Sequence, residues 1–233
     1  MNFLFLSSFL AGGLLTGFLF ASSHLESGFS LSLEINLDQT YSEDKPPWTI
    51  PDFGPDGLKG LTEEQKKRLF SEEVVIIFSD EGAPEGQTIV SAALTLRVPV
   101  EKAWAVLSAT ERQIEYLEEI EELKTIEQAA DHNRMEFMVK IMGHKVRYIV
   151  VHHFVPEKYY FWWELDSSVH NDLRELFGFW RLYPAGDKTI ARYGSYVRLA
   201  FPVPDFIRNW LYKRSVHTSL EKVKKFVERA GGR

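Results

Sequence analysis

Three side chains in this sequence suit the work of polarising a carbonyl or moving a proton: His152, Arg174 and Tyr148. His152 adjoins His153, and neighbours in an extended segment point to opposite faces, so the two cannot share a metal ion. None of the seven histidines stands four residues from another, which removes the helical zinc pair. There is no cysteine, and with it go thiolate nucleophiles, disulfides, Fe–S clusters and cysteine-ligated zinc. No phosphate-binding loop and no G-x-S-x-G elbow occurs. Glu115, Glu118, Glu119, Glu121 and Glu122 crowd together, but at that spacing they form a solvated helix face and turn. No metal and no cofactor is therefore expected, and catalysis rests on those three candidates alone. His152 is either a general base or a hydrogen-bonded core histidine. An inward Arg174 needs a carboxylate, a carbonyl or a ligand head group; the other reading places it at the rim, or slips the strand alternation there by one residue.

The elements that would position these groups are strands. Val74 to Phe78 and Thr88 to Val98 are rich in Val, Ile, Leu and Thr. A short helix follows Pro99, from Val100 to Leu107, and a second is expected from Thr110 as cap to about Ile120. Six further strands are separated by turn signals: Leu123 to Ala129, Arg134 to Met142, Lys145 to Val155, Tyr159 to Asp166, Leu173 to Tyr183 and Thr189 to Phe201. Such tight connections imply an antiparallel meander, because parallel pairing needs long crossovers. After Pro202, apolar residues recur every three or four positions from Phe206 to Val227, with Trp210 and His217 on the same stripe, so one long amphipathic helix faces the sheet. The fold class is α+β, an antiparallel sheet curled around a single terminal helix. Period-two alternation then puts Phe137, Tyr148, His152, Phe161, Trp163, Arg174, Trp180 and Tyr193 on the inner face. These aromatics are either packed core or the wall of a ligand cavity.

Ahead of this domain the chain reads differently. Phe3 to Ser23 carries no charge, and Ala21-Ser22-Ser23 offers small residues at a cleavage position. Residues 1–23 are thus a signal peptide or, at roughly 30 Å of helix, an uncleaved membrane anchor. Residues 24–70 are acidic and rich in Pro and Gly, a linker with a strand-like piece at Phe29 to Leu37. It ends in a short helix opened by a Thr62/Gln65 capping box. The domain proper is expected over 71–233, exported or held at a membrane by the N-terminus.

Composition narrows the partners. With 45% hydrophobic and 14% aromatic residues the 233-residue chain can bury a real core. Its net charge of −6 argues against nucleic acid. That charge is uneven: residues 1–130 hold 9 bases and 22 acids, a balance of −13, whereas 131–233 hold 18 bases and 11 acids, a balance of +7. Seven of the bases (Arg208, Lys213, Arg214, Lys222, Lys224, Lys225, Arg229) fall on the last helix, either a surface for anionic lipid or the helix's solvated back.

Leu96 to Leu107 (LRVPVEKAWAVL) resembles the strand-to-helix transition of the START-like superfamily, called SRPBCC. Phe177 to Pro184 (FGFWRLYP), Lys188-Thr189, Tyr193 and Phe201 to Ile207 (FPVPDFI) are similar to later segments of its polyketide cyclase, coenzyme-Q-binding and lipid-transport branch. The likeness runs from about Ser71 to Arg229. It implies a helix-grip fold, a curved antiparallel sheet wrapped on a long C-terminal helix around a hydrophobic cavity. The ligand set is then Phe137, Tyr148, His152, Phe161, Trp163, Arg174, Trp180, Tyr193, Trp210 and His217, and the partner an apolar small molecule or lipid, with a membrane surface as a second contact. Because one fold serves many activities, a cyclase-type enzyme and a closed interaction module stay open beside a lipid carrier.

Overall fold

The computed structural model describes residues 50–79, 89–141, 143–199 and 205–232. Eight strands build one antiparallel sheet: β1 (Val75–Ser79), β2 (Ile89–Leu96), β3 (Ile120–Gln128), β4 (His132–Ile141), β5 (His144–Val155), β6 (Tyr160–Leu165), β7 (Leu173–Ala185) and β8 (Lys188–Leu199). Their order is β1-β2-β8-β7-β6-β5-β4-β3, so every strand from β3 to β7 pairs with its successor. The long excursion between β2 and β3 carries α2 (Val100–Leu107) and a 3-10 turn (Thr110–Glu115), and it takes the chain to the far edge. The sheet is curved and not closed. The terminal helix α3 (Asp205–Gly231) lies against β2 and α2. This is the expected α+β helix-grip.

The second short helix is a correction. It stops at Glu115 as a 3-10 turn, and β3 begins at Ile120. A helix to Ile120 would stack Glu115 with Glu118 and Glu119, three and four residues on, whereas in the turn ahead of β3 these carboxylates are exposed. Thr110 is fully buried and does not cap.

Both faces of the sheet are apolar where β1, β2, β8, β7 and β6 lie, which is why β2 is buried along its whole length. On the inner face, Leu94, Leu96, Phe161, Trp180, Leu182 and Ala191 meet Val106 and Leu107 of α2 and Leu220, Val223, Phe226 and Val227 of α3. The helix is also pinned electrostatically. Lys224, buried, donates to the Thr95 carbonyl and to Glu228 (2.7 Å), and Glu228 accepts from Arg97 (2.8 Å). Lys222 pairs with Glu119 at 3.3 Å. Two of the basic residues expected to face lipid or solvent are therefore committed within the domain.

The outer face changes the domain boundary. Trp162, Phe177, Phe179, Tyr183 and Ile190 point outward and are covered by Phe53, Leu61 and Leu69, so the stretch from Ile50 to Phe70 is an integral layer and not a linker. Its helix α1 (Glu63–Phe70) starts at the expected capping box, with Thr62 Oγ1 accepting from Gln65 N (3.2 Å) and Gln65 Oε1 accepting from Thr62 N (2.9 Å). Phe53 stacks on Phe179 at 5.8 Å and lies beneath Arg192, whose guanidinium carbon is 4.0 Å from the ring centre. Arg192 donates to the carbonyls of Gly57 (2.9 Å) and Lys59 (3.4 Å), and burial lowers its pKa to about 10, leaving it charged at neutral pH. The expected leader over 1–23, the strand-like piece at Phe29 to Leu37 and the rest of the acidic stretch through residue 49 lie outside the described residues. Among the described residues, no helix is long and apolar enough to cross a membrane.

Candidate ligand-binding site

Seven of the ten expected ligand residues converge on the concave face, because β4, β5, β6, β7 and β8 are adjacent and in register. Phe137 pairs with Tyr148, His152 with Trp163, Phe161 with Trp180, and Trp180 with Tyr193 across successive strands. Their rings form a continuous path. Phe137 stacks on Tyr148 at 5.3 Å, and His152 lies 6.4 Å from Phe137, 6.4 Å from Phe161 and 6.2 Å from Trp163. Trp163 is 6.1 Å from Tyr193, which is 4.9 Å from Trp180.

Two expected residues do not join them, and a third is not described. Arg174 is exposed. A bulge between Leu173 and Glu175 inserts one extra residue opposite β8, so Leu173 and Leu176 both face inward and the alternation slips at Arg174. His217 is exposed on α3, since the buried stripe there begins at Leu220. Trp210 lies within α3, and its side chain falls outside the described residues.

The structure adds residues that alternation did not single out. Trp104 of α2 sits 6.5 Å from Phe154, 6.2 Å from Tyr159 and 5.9 Å from Phe161, closing one end of the aromatic wall. Asn133 and Thr110 are buried beside His152. Asn133 reads as a turn residue and Thr110 as a cap, so only their burial reveals them.

His152 is 2% exposed, and burial, helped by neighbouring His153, pulls its pKa down to about 3. It is a neutral imidazole at any physiological pH. Burial likewise raises the pKa of the Tyr148 and Tyr193 hydroxyls. Yet Tyr148, Trp163 and Tyr193 are only partly buried. Their partial exposure sets them apart from the packed core formed by Leu94 and Val227, both 0% exposed.

Gly178 shapes this wall. A Cβ there would lie 2.0 Å from the Trp163 indole, so only glycine lets the ring fold down across β7. Gly178→Ala is expected to push Trp163 off its seat and to cost about 1–3 kcal/mol by overpacking. Urea unfolding, with Trp fluorescence of the native state, checks both effects.

The fold is the START-like (SRPBCC) helix-grip. Among solved structures, a STAR-related lipid transfer protein from Xanthomonas axonopodis superposes with a TM-score of 0.57 at 8% identity, covering 77% of this chain and 98% of that one. A START superfamily protein from Mycobacterium smegmatis gives 0.52 at 16% identity, covering 60% and 97%. The Zhui aromatase/cyclase from Streptomyces sp. R1128 gives 0.51 at 15% identity, covering 60% and 93%. No protein-family model and no curated protein sequence matches the chain.

Proposed function

We propose that this chain binds and carries a hydrophobic ligand, a lipid, isoprenoid or quinone, between the curved sheet and α3, and that it works after export or while held at a membrane by its apolar N-terminus. The observation that supports the reading is the partial exposure of Tyr148, Trp163 and Tyr193 on the concave face, which we take as an aromatic wall left open to a ligand. The architecture shared with a lipid transfer protein and an aromatase/cyclase is consistent with it. A cyclase role is less well supplied. Arg174 stands outside the group, and an imidazole that burial keeps neutral is a poor store for a proton. A closed interaction module would have those three side chains fully packed.

Native mass spectrometry of the mature protein tests both parts. The expected result is a bound apolar molecule released on denaturation and an N-terminus beginning near His24, or the intact chain recovered in the membrane fraction. A ligand-free protein that also ignores quinone and phospholipid probes would overturn the carrier reading.

A further inference from the structure

The proton on His152 can be placed from the groups around it. Gln128 Nε2 donates to the Ala129 carbonyl (3.2 Å), which leaves Gln128 Oε1 to face Asn133. Asn133 Nδ2 lies 3.5 Å from that oxygen and donates to the Thr110 hydroxyl at 2.8 Å, while the Thr110 proton goes to the Met135 sulfur at 3.1 Å. Reversing the Asn133 amide would set two carbonyl oxygens against each other. The orientation therefore presents Asn133 Oδ1, an acceptor, 2.8 Å from His152 Nδ1, and Nδ1 must carry the hydrogen. In a neutral imidazole the other nitrogen is then a bare acceptor. Among the described residues Nε2 has no hydrogen-bond partner, in a ring enclosed by Phe137, Phe154, Phe161 and Trp163.

We propose that the ligand is an apolar molecule with a hydroxyl head, an alcohol or a phenol, which donates its hydrogen to Nε2 of His152; this rests on the carrier reading and narrows it. A ketone, ether, carboxylate or phosphate offers Nε2 only lone pairs, and two facing acceptors against an aromatic wall repel. An anionic head would also want a cation. The groups recorded against the His152 ring are Asn133, Phe137, Phe154, Phe161 and Trp163, and none of them is a cation. Tyr148 and Tyr193 can donate or accept and so do not discriminate. His152 does.

The test pairs two probes that differ in that one hydrogen, para-nonylphenol and para-nonylanisole, titrated calorimetrically into the full chain. The phenol is expected to bind about tenfold more tightly, the usual scale for one buried hydrogen bond against an unpaired acceptor, and His152→Phe is expected to erase the preference. Histidine-selective nitrogen NMR of the unliganded protein supplies an arm that needs no variant: His152 should show the Nδ1–H tautomer, unchanged between pH 8 and 5, at about the native population throughout. Equal affinity for the two probes would overturn the hydroxyl inference and leave the carrier reading standing. An Nε2–H tautomer would overturn it regardless of ligand. Failure of both probes to bind would overturn this inference, and the carrier reading would fall with it only if the protein is also recovered without an apolar ligand.

Discussion

Phe53→Ala is expected to lower the unfolding free energy by about 3–5 kcal/mol, as large as a core deletion, although Phe53 lies in a Pro- and Gly-rich stretch ahead of the first strand. The ring is 4% exposed, between Phe179 and the Arg192 guanidinium. Its loss opens a cavity against the outer face of β7 and β8. It also strips Arg192, a buried cation whose Nε has no hydrogen-bond partner, of the aromatic face that offsets its desolvation. The two losses are coupled. A Phe53/Arg192 double-mutant cycle should return an interaction energy of about 1 kcal/mol. Urea denaturation followed by far-UV circular dichroism measures both. A change below about 1 kcal/mol for Phe53→Ala would show that this layer comes away independently of the sheet, and the domain would then begin after it.

That layer also marks where sequence reasoning ran out. Trp162, Phe177, Phe179 and Tyr183 lie on the face of the sheet opposite His152, and four large aromatics there need a cover. The cover was legible only as the isolated Phe53, Leu61 and Leu69, whose spacing follows no helical or strand period because turns at Gly54 and Gly57 set it. On the inner face the simple period was enough. Phe137, Tyr148, His152, Phe161, Trp163, Trp180 and Tyr193 come together because β4 to β8 pair in sequence order, and a meander preserves the parity of every strand. At Arg174 the second of the two sequence readings holds: one bulge reverses that parity locally, and because a bulge leaves no mark in hydropathy the sequence could not choose between them. Thr110 and Asn133 escaped for a different reason. Their residue types are those of caps and turns, and only tertiary contact turns them into the support of a buried imidazole.

The same imidazole should make the fold sensitive to mild acid. His152 is held at about 3, against an ordinary value of 6.5, chiefly by burial and then by His153. Below pH 6.5 the unfolded chain therefore takes up a proton that the folded chain refuses, and stability falls as pH falls, by up to about 1.4 kcal/mol per pH unit. Between pH 6.5 and 4.5 the loss should reach about 2–3 kcal/mol. The partly exposed His132 works in the opposite sense, since its bond to Asp131 raises its pKa, but solvent screening keeps that contribution small. The carboxylates act in a lower window. Burial alone would raise Glu228 and Asp166, yet hydrogen bonds from Arg97 and Lys224 to the first, and from Ser168 and Arg134 to the second, hold both below their ordinary values of 4.5 and 3.8. What they contribute is present above those values and is lost only at more acid pH. Denaturant titrations at half-unit pH steps separate the two windows. His152→Gln should flatten the slope between pH 6.5 and 4.5 while leaving the steeper fall beneath it. A wild-type curve already flat over that interval would mean that the folded protein protonates His152 without cost, and that the enclosure around it is wetter than its ring contacts imply.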